Sequence, residues 1–198
     1  MQKNLIKRKQ SVINTAIEII DELGLQGLTT KEIAKREGVT EPALYKQFKN
    51  KDEIILGVLD EYSKFEIKIM NTVIEQEMKP LEAVFYFAKA YGGYYQGYPQ
   101  ITRVLYSMDM YAYDEVANNK MLEILYRRQA FMKGVVEEGQ RQEVMDKGIE
   151  AQKLAEMILG IMMSIIFNWK IENTESCLND KIMVALKWFL RNSNLVEK

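Results

Sequence analysis

LTTKEIAKREGVTEPALYKQFKNKDEII, residues 28–55, governs how the rest of the chain is read. Thr29 and Glu32 stand three apart before an apolar-patterned run. That is the spacing of a capping box, in which the threonine accepts from free amides and the glutamate reaches back. A short helix is therefore expected over 30–37, stopped by Gly38, which can take a positive φ at a tight turn. Thr40 then opens a second helix over 41–48. Ala34 is small where the second helix must cross closely, and Ile33, Val39, Leu44 and Phe48 form one apolar set. Two short helices about the turn Gly38-Val39-Thr40 make the pattern of a helix-turn-helix, whose second helix lies in a DNA major groove. A plain helical hairpin has the same pattern.

Working outward, helical spacing continues in both directions. Val12, Ala16, Ile19 and Leu23 predict a helix over 7–23, ended by Gly24 and Gly27. Asn50 and Glu53 signal the start of a longer one, to about residue 77. Further helices are expected over 80–95, 100–110, 114–138, 149–171 and 176–192, with Gly92-Gly93 weakening the end of the first of these. Prolines occur only at 42, 80 and 99, each able to open a helix. No strand alternation is visible. The expectation is an all-α chain of nine helices: a three-helix head over 1–50 fused, without a flexible linker, to a helical body over 51–198.

The 198 residues are 47% hydrophobic and 28% charged, a globular composition. The absence of histidine removes Ser-His-Asp and Cys-His catalysis and histidine-ligated zinc. Neither a metal nor a cofactor is expected, and no enzymatic constellation is evident. The lone Cys177 cannot form an internal disulfide. MQKNLIKRKQ is basic with no apolar stretch behind it, unlike a secretory leader. The longest apolar run, 157–167, is short for a membrane span. A cytoplasmic location with no membrane partner is expected. Charge is uneven: residues 1–51 carry ten Lys/Arg against six Asp/Glu, a net +4, and the remainder carries a net −5. A basic head suits an anion such as DNA phosphate.

Leu28, Thr29, Thr30, Ile33, Ala34, Gly38, Val39, Thr40, Leu44, Tyr45, Phe48, Lys51, Glu53 and Ile54 together resemble the signature of the TetR family of bacterial transcriptional regulators. The resemblance covers about residues 7–56. It implies a nine-helix TetR-like fold and a homodimer bound to a double-stranded, roughly palindromic DNA operator. By position, Thr30 resembles a phosphate contact, and Thr40 either caps its helix or touches phosphate. Glu41, Ala43, Leu44 and Lys46 fall nearest the bases, with Leu44 also suited to the core. Ala43 suits a thymine methyl, and Lys46 suits guanine or phosphate. Tyr45 resembles the family tyrosine that donates to phosphate. Lys51 resembles its lysine at a helix N-terminus, where charge and dipole favour an anion. Glu41-Pro42 departs from the commoner basic-small pair, which leaves base preference open. The tail cations Lys3, Lys7, Arg8 and Lys9 either reach DNA or are solvated.

The body is dense in aromatic and methionine residues, which either fill a core or line a pocket with polar handles. By resemblance, Phe65, Phe87, Tyr91, Tyr94, Met108 and Tyr126 are the candidate lining for a small-molecule effector, largely apolar or aromatic. A lipophilic cation or a fatty acyl thioester would also suit it. The last two helices are apolar beyond one stripe, so each is buried on two sides. Either they are sandwiched inside one subunit or, as the resemblance implies, they form a four-helix dimer interface, in which Ile158, Met162, Ile165, Trp169, Ile182 and Phe189 are expected. The implied mechanism is a repressor released when the effector favours a head spacing that does not fit DNA. The rival is a constitutive or partner-controlled DNA-binding protein with no small ligand.

Overall fold

The computed structural model describes residues 2–107, 111–112, 114–172 and 176–192, and only helices, nine of them, occur among these. They are α1 (Gln2–Gly27), α2 (Thr30–Glu37), α3 (Glu41–Tyr45), α4 (Lys51–Glu75), α5 (Pro80–Gly97), α6 (Ile101–Tyr106), α7 (Glu115–Arg141), α8 (Ala151–Glu172) and α9 (Leu178–Asn192).

Local signals explain most boundaries. Gly24, at φ 71° and ψ 174°, breaks the helical path of α1 where the sequence places its end. Thr29 caps α2, its hydroxyl oxygen accepting from the Glu32 amide at 3.1 Å. The reciprocal half of the expected capping box is absent, because the Glu32 carboxylate turns to Arg36 at 2.9 Å. Gly38 (φ 66°, ψ 30°) closes α2 in the left-handed region, its amide donating to the carbonyls of Ala34 and Lys35. At the start of α4, Asn50 accepts from the Glu53 amide at 2.9 Å, while Glu53 accepts from the Lys49 amide at 2.6 Å. This charge-assisted bond, joined by the nearby Lys9 ammonium, holds the Glu53 carboxyl below its ordinary range.

Two compact units emerge from the packing. The first combines residues 1–64 with 100–124, and the second combines 65–99 with 125–198. The head and body expected at 1–50 and 51–198 divide the chain differently. The reason lies in the first unit, where α6 packs against α1 and so belongs with the head helices. In the second unit α9 packs against both α5 and α8. There α5 runs on through Gly92-Gly93 to Gly97. A Cβ built on Gly92 would sit 2.3 Å from Asn179 Oδ1, so Gly92 permits the close approach of α9.

α8 lies close to the expected 149–171, and although its uninterrupted apolar run 157–167 is short, the helix as a whole is by length and composition apolar enough to cross a membrane. One face of it nevertheless packs inside the protomer, where Leu154, Ile158, Met162 and Ile166 are buried.

Candidate nucleic-acid interface and body core

The first unit brings the N-termini of α2 and α3 together. Thr30 Oγ1 donates to the Glu41 carboxylate at 2.6 Å, and the Tyr45 hydroxyl lies 3.5 Å from Thr30 Oγ1. Glu41, expected near the bases, is thus held by an intramolecular bond. Thr30, expected on phosphate, has its proton directed to that carboxylate. Thr40 is exposed and makes no side-chain cap; its carbonyl accepts from the amides of Ala43 and Leu44 instead. Leu44 is 1% exposed and belongs to the core, which corrects its place among the base-proximal residues. α3 is shorter than the expected 41–48: its last turn tightens after Tyr45, with the Gln47 and Phe48 amides both reaching the Leu44 carbonyl.

What remains on the outer face is Thr40, half-buried Ala43, Tyr45 at 48% exposure, and Lys46. Beside Ala43 and Lys46 lies a surface hollow of about 490 Å³ that Arg8, Val12, Glu37, Val39 and Gln47 complete. Among the described residues, Arg8, Lys46 and Lys51 make no ion pair. Arg36 is held between Glu22 (2.8 Å) and Glu32, and Lys9 pairs with Glu53 at 3.5 Å. Of the uncommitted cations, Arg8 and Lys46 border the hollow beside α3. Both Tyr45 and Lys46 are exposed on this face.

The second unit contains a charged cluster that the sequence reading missed. Glu66 on α4 is 1% exposed, and Arg128 on α7 is 3% exposed. Arg128 Nε donates to Glu66 Oε2 at 2.6 Å, and the Tyr91 hydroxyl donates to the same oxygen. The guanidinium also sits 5.2 Å from the Tyr91 ring centre. Glu66 Oε1 is buried with no donor in the protein. The available signal was positional: Glu66 falls on the stripe of Tyr62, Met70 and Val73, and Arg128 on that of Ile124, Met132 and Val136. A charge on a core stripe needs a partner, and here each supplies the other.

Around this cluster Phe87 stacks on Tyr91 (5.0 Å) and on Phe131 (5.6 Å), while Phe65 stacks on Tyr94 at 4.2 Å. Four of the six expected lining residues thus fall in one aromatic core. Tyr126 does not: it is 63% exposed, because its position on α7 points away from the stripe carrying Arg128. Met108 lies outside the described residues. A groove of about 400 Å³ between α4, α5 and α7 has Phe131 as part of its wall.

On α8 and α9 the expected interface residues split. Ile158, Met162 and Ile182 are fully buried within the protomer and are core, a correction that follows from α5 covering this side. Ile165, Trp169 and Phe189 are half-buried. The open apolar face is instead formed by Met157 and Ile171 on α8 and by Val184 and Trp188 on α9, the last two at 69%. Gly160, Ser164 and Asn168 continue the α8 face at helical spacing.

Residues 12–58 match the model of the tetR family of bacterial regulatory proteins. The tetracycline repressor protein class C of Escherichia coli is 46% identical over 48 residues, which is 24% of this chain and 22% of that protein. The chain thus matches less than a quarter of that repressor's length. The nucleoid occlusion factor SlmA of Vibrio campbellii is 21% identical over 154 residues, 77% of this chain and 79% of its own. Among solved structures, the regulator FadR from Bacillus subtilis in complex with stearoyl-CoA superposes with a TM-score of 0.78 at 20% identity. It covers 91% of this chain and 97% of that one. At that identity the likeness shows the fold.

Proposed function

We propose that this chain, a TetR-family regulator by its residues 12–58 and its fold, binds operator DNA as a homodimer and leaves it when a small molecule enters the second unit. The observation that carries the reading is the outer face of α3. It keeps Thr40, Tyr45 and Lys46 exposed beside unpaired Arg8, while Leu44 is buried and Glu41 is bonded to Thr30. Ala43 and Lys46 read base edges, and Tyr45, Arg8 and Lys51 hold phosphates. Glu41 positions α3 against α2.

The dimer forms through the open apolar face of α8 and α9, with Val184 and Trp188 at its centre and half-buried Ile165, Trp169 and Phe189 beside it. Gly160 and Ser164 let the backbones approach. A twofold axis then presents two α3 helices to successive major grooves, so the operator is roughly palindromic. The output is repression in the cytoplasm. α4 gives Lys51–Lys64 to the first unit and 65–75 to the second, which makes it the element through which an effector biases the heads.

A second reading, a DNA-binding protein with no small ligand, draws support from Phe87, Tyr91 and Tyr95 filling the body core.

The deciding experiment is binding to the DNA upstream of the chain's own coding region across a salt series. Selective binding that weakens steeply with salt supports the operator reading. Equal, weak binding to scrambled DNA overturns it for that site.

A further inference from the structure

We infer that the effector is a neutral, mostly apolar molecule whose polar end donates a hydrogen bond to Glu66, rather than one with an anionic head. This rests on the effector-responsive reading above and names the chemistry of that site.

The orphaned atom is an acceptor. Glu66 Oε2 takes both available donors, Arg128 Nε and the Tyr91 hydroxyl, and Oε1 takes none although it is buried. A buried acceptor left without a donor is costly, so the complementary ligand group carries O–H or N–H. Charge then narrows the class. Arg128 already neutralises Glu66 within one ion pair, and its guanidinium is further occupied by the Tyr91 face and by Met163 Sδ at 3.7 Å. A ligand cation would face a carboxylate already matched, and a ligand anion would meet that carboxylate directly. A neutral donor meets neither penalty.

The approach to the cluster agrees. The groove of about 400 Å³ is walled by Val73, Met78, Ala83, Phe131 and Val135 among others. Phe131 of the groove wall stacks on Phe87 and Phe87 on Tyr91, whose hydroxyl binds Glu66. The cluster itself lies behind this wall, so the groove opens onto it only if the rings part. The charged groups lining the groove are two carboxylates, Glu77 and Glu138, with no Lys or Arg lining it. Arg141 and Gln142 donate to Glu138 and hold its carboxyl below the ordinary range, so it is ionised at neutral pH. With Glu138 already paired to Arg141, Glu77 is left as the groove's unmatched charge, and no lining cation is there to hold a phosphate-bearing head like that of the stearoyl-CoA bound by the similarly folded FadR.

The test uses the full-length protein and matched probes. Para-hexylphenol and its methyl ether para-hexylanisole differ in shape by one methyl group and in the presence of the donor. Decanol provides an aliphatic donor, and stearoyl-CoA the anionic head. Calorimetry gives affinities, and release of bound operator DNA gives the functional readout. The expected result is that the phenol binds about tenfold more tightly than the ether, the worth of one good hydrogen bond. Glu66→Gln, which presents an amide N–H at one of the two positions, is expected to erase that preference. Should this variant not fold, the preference in the wild type still decides. Equal binding of phenol and ether, or tighter binding of stearoyl-CoA, overturns the inference and leaves an effector-responsive regulator standing. No binding of any probe by a protein that still holds its operator overturns the inference and the effector reading together, and leaves the DNA-binding one.

Discussion

Replacing Arg128 by methionine removes the charge while keeping most of the side chain's length. Glu66, 1% exposed, is then left with the Tyr91 hydroxyl as its one donor among the contacts described. Breaking a buried ion pair from one side costs about 3–5 kcal/mol, because the surviving charge has no compensation. For a chain of this size each kcal/mol moves the thermal midpoint by roughly 2–4 °C, so a fall of about 6–20 °C is expected. The double variant Glu66→Leu with Arg128→Met removes both charges, and its stability is expected to return to within about 1 kcal/mol of the parent. Urea unfolding at fixed protein concentration reads both, since the stability of a dimer depends on concentration. An Arg128→Met loss below about 1 kcal/mol, or a double variant as unstable as the sum of the singles, would refute the claim that the pair is buried and mutually dependent.

Other outcomes follow from the head and the last two helices. Leu44→Ala is expected to cost about 2–5 kcal/mol of stability, whereas Lys46→Ala leaves stability unchanged and lowers the salt slope of operator binding by about one phosphate. Val184→Asp is expected to convert the dimer to a monomer in analytical ultracentrifugation; a variant that stays dimeric excludes α9 from the interface. Glu22, Glu32 and Glu53 are held below their ordinary value of 4.5 by Arg36, by Arg36, and by the Lys49 amide, respectively. In the window below 4.5 the unfolded chain binds more protons than the native one, so the stability these groups supply is complete above 4.5 and lost as pH falls through their lower native values. Thermal melts from pH 7 to pH 3 test this, and Glu53→Gln is expected to flatten the acid limb.

Local chemistry made the helices readable. Thr29, Gly38, Asn50 with Glu53, Pro42 and Pro80 each fix a backbone choice within a few residues, and each acts as its type suggests. Departures arose where distant residues compete. Glu32 left the capping box because Arg36 offers a charged donor one turn away. Glu41 is drawn to Thr30, eleven residues back, which no spacing rule encodes. Periodicity correctly gave α8 and α9 two apolar faces, yet it could not say which one α5 covers, so Ile158, Met162 and Ile182 were assigned to the wrong side. The Glu66–Arg128 pair joins residues 62 apart, and only packing brings them together.

The five-residue α3 is far too short to hold its shape alone. Pro42 fixes one φ, Leu44 anchors it in the core, and the Thr30–Glu41 bond fastens its first turn. Its conformational freedom is therefore surrendered during folding, before any DNA is met. Capture of the operator then need not wait for the reading helix to order itself. On the proposed reading, its rate is set by diffusion and by the field of Arg8, Lys46 and Lys51, and discrimination between sequences falls to how long each complex survives.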